Sequence, residues 1–512
     1  MSLTTMRDAP TADAPARAGW RGWAGLAVLM LPALLVSVDN TVLSFALPQI
    51  ALDLGPTSAQ QLWIIDAYPL VLAALLVTMG TMGDRFGRRR MLMIGATGFA
   101  AVSVLAAFAP TASLLIAARA GMGVFGAMLM PSTLSLLRSM FADRDQRRLA
   151  VAVWATAFSA GAALGPIVGG FLLEHFAWGS VFLLSVPVLV PLLVLAPFLL
   201  PESRDPNPGR FDPVSILLSL ATMVPVVYGI KEFAVSGFTA AVALLFVAGA
   251  LFGILFVRRQ LRLPVPMLDM GLFRMPTFTG ALLVNLLSVI ALVGFLYFVP
   301  QHLQLIVGLS PMEAALALVP GLATMIVAGL VVVPIAKRVP PRILIPAALL
   351  FSVTAYVVLA IGAGNLAVVV VSFVALGIGI GMAETVSNEL ILTSAPAAKA
   401  GAASAVSETA YELGAVLGTA ILGGLITALY RANIVLPDEL PADAARAARE
   451  TLAGAVHAAD SLGGDLGAAL LAEASRAFDS GFGVTALIGA ALVAGAAVIA
   501  AMTLRGRAAG RG

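Results

Sequence analysis

The sequence predicts an all-α membrane protein with fourteen transmembrane helices, and three observations support this fold class. First, 60% of the 512 residues are hydrophobic and only 11% are charged, whereas an average soluble domain is about 25% charged. Second, apolar runs of about 20 residues, long enough to cross a membrane, recur along the whole chain. Third, basic residues concentrate in every second loop between those runs, as the positive-inside rule requires of a multi-pass protein.

The predicted spans are apolar windows bounded by charged residues or by clusters of Pro and Gly. The first window is too long for the core of a signal peptide, so it is interpreted as a retained span. The fourteen windows are 24–47, 61–83, 90–109, 112–136, 149–173, 178–200, 213–231, 238–257, 277–301, 312–336, 342–362, 366–392, 403–429 and 482–504.

The distribution of basic residues predicts the orientation in the membrane. If the N-terminus is cytoplasmic, most of the 30 Lys and Arg residues fall in cytoplasmic loops, and Arg119 is the only one placed well inside a span. Because the alternation persists to the basic C-terminal tail, the number of spans is even. The chain is therefore predicted to lie in the inner (cytoplasmic) membrane with both termini in the cytoplasm.

The spans group into two bundles of six helices with a two-helix insert between them, an arrangement typical of transporters built from two related halves. The linker after the insert mixes basic and apolar residues and is predicted to lie along the cytoplasmic interface. The Ala-rich connection 430–481 is interpreted as a solvated extracellular hairpin, with a functional lid as the alternative. The predicted regions are a tail at 1–23, an N-terminal bundle at 24–200, an insert with its linker at 201–276, a C-terminal bundle at 277–504 and a tail at 505–512.

The loop between the second and third spans carries an acidic residue among several arginines, next to a Gly-containing turn. Charge-assisted hydrogen bonds between Asp84 and these arginines would latch neighbouring helix ends in one state and release them in another. A basic loop alone would indicate only a cytoplasmic loop, but the spacing here is more specific. The candidate latch residues are Gly80, Asp84, Arg85, Gly87, Arg88 and Arg89.

The fifth span contains small residues at four-residue spacing around a proline. This spacing lets two helix backbones approach closely, and the proline weakens the local hydrogen-bond ladder so that the helix can bend. Plain packing is the simpler interpretation of a single such pair. The candidate helix-bending residues are Gly161, Gly165, Pro166, Gly169 and Gly170.

Residues 80–90 read GTMGDRFGRRR, which resembles the signature loop of the major facilitator superfamily. Residues 119–126 (RAGMGVFG) are similar to that superfamily's fourth-span motif, and the string around Pro166 is similar to the Gly-Pro motif of its antiporters and exporters. The resemblance implies the major facilitator fold, with two six-helix bundles plus two additional central helices. The second half departs from the pattern, because residues 337–342 (KRVPPR) stand in place of an intact second loop.

A closer resemblance is to the fourteen-span drug:proton antiporters, which include actinobacterial exporters of quaternary ammonium compounds, fluoroquinolones and cationic dyes such as ethidium. It is carried by VDNTV at 38–42 with ALP at 46–48, by QLWIIDAY at 61–68 and by GAASA at 401–405. The resemblance implies proton-coupled multidrug efflux by alternating access, performed by a monomer that needs no cofactor beyond the proton gradient. Two alternatives stay open: a dedicated exporter of one endogenous metabolite or antibiotic, and a membrane-embedded enzyme or sensor that keeps the fold.

Several carboxylates fall inside otherwise apolar spans. An ionised acid near the centre of the bilayer costs about 2.5–3.5 kcal/mol, so each needs a reason to be there. The cost falls if the group faces a polar cavity, or if it keeps its proton until a substrate cation displaces it. The candidate proton-coupling and cation-binding residues are Asp39, Asp66, Glu384, Glu408 and Glu412.

For several of these residues the sequence also allows a structural role. Glu408 and Glu412 share one helix face, so like charges would disfavour each other there, unless both lie at the cytoplasmic mouth and are solvated. Asp66 could serve at a helix end. Arg119, the candidate supporting charge, could snorkel to the interface, neutralise a nearby acid, or help set its protonation.

The sequence argues against other chemistries. Cys is absent, and His175, His302 and His457 are isolated without metal-ligand spacing. The GxGxxG string at 121–126 lies in an apolar span with no preceding strand, which excludes a dinucleotide site. No metal and no nucleic acid are predicted as partners; the predicted partners are small-molecule drugs, protons and the lipid bilayer.

Overall fold

The computed structural model describes residues 18–204, 212–264, 266–362, 364–395 and 400–504. Within these ranges the regular secondary structure is entirely helical, with no strand. Thirteen of the described helical segments are long and apolar enough to cross a membrane. The all-α membrane fold is thereby confirmed. Most of the two predicted tails lies outside the described residues.

The N-terminal bundle is built from long helices whose two most extensive contacts join helices that are not consecutive in the sequence. α1 packs along α5, and α2 packs along α4. α6 and α7 together form the sixth span, interrupted at Leu184. The helices are α1 Trp20–Leu54, α2 Ser58–Phe86, α3 Arg88–Ala107, α4 Ala112–Met140, α5 Arg144–His175, α6 Ser180–Leu183 and α7 Ser185–Leu199.

The insert is a hairpin of two helices, α8 (Pro213–Ser236) and α9 (Ala240–Arg262), which pack on each other. Asp212 caps the start of α8, because its carboxylate accepts a hydrogen bond from the backbone of Ser215 at 3.1 Å. The same carboxylate forms an ion pair with Arg259 of α9 at 2.8 Å. One polar cluster therefore ties the two ends of the hairpin together.

The C-terminal bundle follows a short 3₁₀ turn. Its fifth helix contains a π-helical turn, so α14, the turn and α15 together form one span. The elements are α10 Pro276–Leu305, α11 Pro311–Ala336, α12 Pro341–Gly362, α13 Leu366–Ser394, α14 Ala400–Gly418, the π turn Thr419–Gly423, α15 Gly424–Asn433, α16 Ala442–Glu450, α17 Leu452–Leu462 and α18 Gly464–Thr503.

The segment 430–481 is more ordered and more buried than the predicted solvated hairpin. α15 and α18 extend into it, and α16 and α17 pack on each other and on α18. Ala448, Leu452 and Ala455 are buried, because small apolar residues on one side of each short helix can pack closely against the bundle. The Tyr430 hydroxyl donates a hydrogen bond to the Ala448 carbonyl at 2.7 Å. The predicted hairpin is therefore present, but it is helical and packs one side against the bundle instead of being solvated throughout.

The α16–α17 hairpin also reaches the N-terminal bundle. Oε2 of Glu450, at the end of α16, accepts a hydrogen bond from the Ser58 hydroxyl at 2.8 Å, at the first residue of α2. Arg431 of α15 lies 3.7 Å from the other Glu450 oxygen. This carboxylate thus joins the two bundles at the start of α2.

The face that holds Trp20 and Thr503 is called here the terminal face, and the opposite face the loop face. Two contacts between the bundles lie toward the loop face: Gln304 of α10 donates to the Phe45 carbonyl of α1 at 3.1 Å, and Gly170 of α5 packs against Met312 of α11. Toward the terminal face, by contrast, the α14 side chain of Glu408 is exposed. The two bundles are therefore closed together at the loop face.

Candidate functional site

Asp39 and Arg119 form a buried ion pair between α1 and α4. The distance from Arg119 Nη1 to Asp39 Oδ2 is 2.7 Å, and the two side chains are only 2% and 8% exposed, Arg119 and Asp39 respectively. A charge-assisted hydrogen bond at this distance lowers the cost of keeping each charge in an apolar bundle.

Arg119 makes three further contacts that fix its position. Its Nε donates to the Ile64 carbonyl of α2 at 3.2 Å, and its guanidinium lies over the rings of Tyr68 and Phe182, 4.7 and 5.9 Å from their centroids. Both aromatic faces attract the cation. Of the roles that the sequence allows, neutralising a nearby acid fits this geometry, whereas snorkelling to the interface does not.

Asp66 forms a second buried ion pair, with Lys231 of α8. The distance from Lys231 Nζ to Asp66 Oδ2 is 2.8 Å, and the two side chains are 1% and 0% exposed. Since Asp66 lies well inside α2, whose start is capped by Thr57 and Gln60, a helix-end role does not describe it.

The sequence prediction that Arg119 is the only basic residue inside a span is wrong. The apolar window ended at 231 because Lys231 is charged, yet α8 continues to Ser236 and carries Lys231 into the protein interior. The available signal was the absence of a turn after Lys231, since Glu-Phe-Ala-Val continues a helical pattern.

The acids of the C-terminal bundle lie in a different environment. Glu412 of α14 is 4% exposed, and neither its Oε2 nor Oε1 of Glu384 on α13 accepts a hydrogen bond from the described residues. Glu408, one turn before Glu412, is exposed. None of the three has a basic partner among the ion pairs of the described residues. Such carboxyl groups can accept a proton or an organic cation.

Amide and hydroxyl groups add polar surface beside these acids. The Asn285 amide of α10 donates to Oδ1 of Asn388 on α13 at 2.8 Å, and the Ser407 hydroxyl of α14 donates to the same oxygen at 3.1 Å. Three helices therefore meet at one polar point near Glu408. Among the described residues no group of three or more Asp, Glu or His side chains is arranged to hold a metal ion.

The candidate latch loop is tied to the end of the sixth span. Asp84 and Arg88 form an ion pair at 2.8 Å. Glu202, just beyond α7, accepts a hydrogen bond from the Arg89 backbone at 3.1 Å, and the Arg89 side chain donates to the Leu200 carbonyl at 2.9 Å. All of these partners lie in the N-terminal bundle or directly after its last helix, so in this conformation the loop fastens helix ends within one bundle.

Three other latch residues have separate surroundings. Gly87 has φ +114, and a Cβ there would lie 2.7 Å from a Glu202 oxygen, so both the backbone and the close approach require glycine. A Cβ on Gly80 would be in ordinary contact with Pro131, at 3.4 Å. Arg85 is exposed.

The small residues of α5 lie where two other helices approach it closely. A Cβ on Gly161 would lie 2.6 Å from the Leu34 carbonyl of α1, and one on Gly165 would collide with Thr41. Gly169 faces Val42 in the same way, whereas Gly170 faces Met312 of α11. Pro166 lies inside α5 between these contacts. The string therefore lets α5 pack closely on α1 and on a helix of the other bundle.

Comparison with known proteins adds independent findings. The family model of the Major Facilitator Superfamily matches residues 29–419. The multidrug efflux pump LfrA of Mycolicibacterium smegmatis is 56% identical over 487 residues, covering 95% of this chain and 97% of that protein. The methyl viologen resistance protein SmvA of Salmonella typhimurium is 35% identical over 90% of this chain and 93% of that protein. A tetracenomycin C resistance and export protein of Streptomyces glaucescens is 31% identical over 98% of this chain and 95% of that protein.

Solved structures resemble this one in fold. A bacterial homologue of the human lysosomal transporter Spinster, in an inward-facing and unoccupied conformation, aligns with a TM-score of 0.67 at 18% identity, covering 94% of this chain and 98% of that chain. A peptide transporter of the POT family in complex with sulfate aligns with a TM-score of 0.58 at 17% identity, covering 88% of this chain and 94% of that chain.

Proposed function

The chain belongs to the major facilitator superfamily, and from this premise we propose that it is a proton-coupled multidrug efflux transporter of the inner membrane. It exports hydrophobic and cationic compounds by alternating access and thereby confers drug resistance. The functions of its relatives, multidrug efflux, methyl viologen resistance and tetracenomycin C export, support this class of activity.

The observation that carries the proposal is the unequal neutralisation of the intramembrane acids. Asp39 and Asp66 each have a basic partner within 3 Å, whereas Glu412 is buried without one among the described residues. A buried acid without a cation is most stable with its proton on, and an arriving organic cation favours its ionised form. Glu412, with Glu384 and Glu408 beside it, is therefore our choice for the exchange of proton for drug.

The orientation follows from the same proposal. The terminal face carries the basic loops and is assigned to the cytoplasm. Since the bundles touch toward the loop face and Glu408 is exposed toward the terminal face, the conformation is inward-facing. A drug would enter from the cytoplasm or inner leaflet, and the proton would arrive from outside once the loop face opens.

Everted membrane vesicles provide the direct test. Vesicles that contain the protein should accumulate ethidium while respiration maintains a proton gradient, and an uncoupler should abolish the accumulation within the dead time of mixing. Vesicles that carry Glu412→Gln serve as the matched control. Accumulation that persists after the gradient has collapsed would overturn proton coupling.

A substrate panel distinguishes the multidrug exporter from an exporter dedicated to one compound. The panel holds monovalent dyes, quaternary ammonium compounds, the dication methyl viologen and zwitterionic fluoroquinolones. We expect export of several chemically unrelated cations. Export of none of them, with the protein present and folded in the membrane, would favour the dedicated exporter.

A further inference from the structure

Three groups of α2 converge on one ammonium ion. Lys231 Nζ lies 2.8 Å from Asp66 Oδ2, donates to the Leu62 carbonyl at 3.1 Å, and lies 3.9 Å from the centroid of the Trp63 ring. A carboxylate, a carbonyl oxygen and an aromatic face are the groups that recognise an organic ammonium ion. All three belong to consecutive turns of one helix, whereas the ammonium belongs to another.

The helix that supplies the ammonium contacts both bundles. α8 packs on α2, on the π turn and on α15. Val227 packs with Leu70 of α2 and Val416 of α14 in one small apolar cluster, and Tyr228 lies against Trp63 with ring centroids 6.1 Å apart. Thr419 of the π turn lies beside the Asp66 carboxylate. The ammonium is thus held where the insert meets both moving halves of the protein.

We propose that Leu62, Trp63 and Asp66 form a second cation-binding site, specific for alkylammonium groups, and that Lys231 is its tethered occupant. The two-helix insert then controls when a free cation reaches Asp66. The inference rests on the proposed function only in taking organic cations to be substrates. The proposed site at Asp66 is distinct from the acids of the C-terminal bundle, to which the exchange of proton for drug is assigned.

In the present conformation the tethered ammonium competes with any free cation for this site. A tethered group competes at an effective concentration of about millimolar or higher, so a free ligand must exceed that concentration to displace it. Lys231→Ala removes the ammonium and most of its stem but leaves all three groups of α2. The vacated volume, from Cγ to Nζ, corresponds to the three carbons and the head group of n-propylammonium.

Binding is measured on the purified full-length protein in detergent, without a proton gradient. n-Propylammonium is titrated against wild type, Lys231→Ala, Lys231→Ala/Asp66→Asn and the exposed-lysine control Lys337→Ala. Tryptophan fluorescence reports the cation over Trp63, and thermal unfolding reports binding to the folded state. We expect propylammonium to bind Lys231→Ala at least about tenfold more tightly than wild type or Lys337→Ala, and the double variant to lose that gain.

Two results would overturn the inference: no gain in Lys231→Ala, or a gain that persists when Asp66 is also replaced. If Lys231→Ala does not fold by itself, the yield of folded protein from cells grown with propylammonium distinguishes the same outcomes. The yield should rise for Lys231→Ala and not for Lys231→Ala/Asp66→Asn. Because these readouts need no gradient, a failure of proton-coupled transport would leave them unaffected.

Discussion

The buried acids of the N-terminal and C-terminal bundles differ in whether a described basic side chain pairs with them. In the N-terminal bundle Asp39 and Asp66 lie against Arg119 and Lys231 at 2.7 and 2.8 Å. In the C-terminal bundle Glu412 is equally hidden from solvent but has no described basic partner. Burial alone therefore does not identify a proton carrier. A neutralised acid stabilises an arrangement of helices, whereas an acid without a counter-ion is available to exchange its proton.

The largest effect is expected from breaking the Asp39–Arg119 pair. Arg119→Met leaves a buried carboxylate without its cation, which costs about 3–5 kcal/mol of stability. The measurement is the free energy of unfolding in detergent. Arg119→Met/Asp39→Asn should recover a large part of the loss, because no uncompensated charge remains.

Arg446 provides a matched control for this experiment. It pairs with Asp443 at 3.0 Å, but the side chains are 74% and 96% exposed, so Arg446→Met should leave the stability unchanged. A double variant at 119 and 39 that is as unstable as Arg119→Met would show that Arg119 acts by packing rather than by charge.

Replacing Glu412 tests the same contrast from the C-terminal bundle. Glu412→Gln removes a proton site without leaving a charge unpaired, so stability should change by no more than about 1 kcal/mol. Export of ethidium should fall at least about tenfold, and the proton release that ethidium causes in detergent solution should disappear. Glu389→Gln, at an exposed position of α13, should retain both activities. Normal proton release from Glu412→Gln would mean that Glu384 or Glu408, and not Glu412, exchanges the proton.

A smaller effect is expected at the latch loop. The Glu202 carboxylate accepts from the Arg89 backbone at the start of α3, where a negative charge also interacts favourably with the helix dipole. Because both side chains are partly exposed, Glu202→Gln should lower stability by only about 0.5–1 kcal/mol. Thermal unfolding measures this loss of stability. The control is Glu174→Gln, which replaces an exposed glutamate at the end of α5. An effect as large as that of Arg119→Met would mean that the stability of the whole bundle depends on the loop.

The smallest effect concerns pH. Burial would raise the pKa of Asp212, but hydrogen bonds from Arg259 and Ser215 outweigh it and lower that pKa from 3.8 to about 2. The stabilisation from this ion pair is therefore present above about pH 4 and is lost only as the pH falls toward 2. Asp212→Asn should leave the shape of the export profile between pH 5 and 8 unchanged, whereas Glu412→Gln should flatten it. A shifted profile in Asp212→Asn would place a coupling group in the insert.

The sequence was sufficient for the fold and for the identity of most charged groups in the spans. Apolar windows and the positions of basic residues depend on local composition, and they located most helices within a few residues, although α18 begins at Gly464, well before the predicted window 482–504. Lys231 was missed because a hydropathy window stops at a charge, whether that charge lies in water or in a protein interior. Its partner Asp66 is far away in the sequence, so only the packing of α8 on α2 reveals the pair.

The four-residue spacing of Glu408 and Glu412 predicted a shared helix face but not their difference in exposure. That difference depends on how far α14 is covered by neighbouring helices at each level, which spacing does not encode. The π turn at Thr419–Gly423 likewise has no signal in the apolar pattern, because a single widened turn leaves composition unchanged.

The contact between Glu450 and Ser58 has a kinetic consequence. The carboxylate belongs to the C-terminal bundle and the serine begins a helix of the N-terminal bundle, so the loop face cannot open without breaking this hydrogen bond. The free-energy barrier to opening the loop face therefore includes the loss of a hydrogen bond within the protein, and this contribution is the same for every transported compound. Compounds that differ widely in affinity should therefore leave the protein at a similar maximal rate, and Glu450→Gln should raise that rate for all of them together.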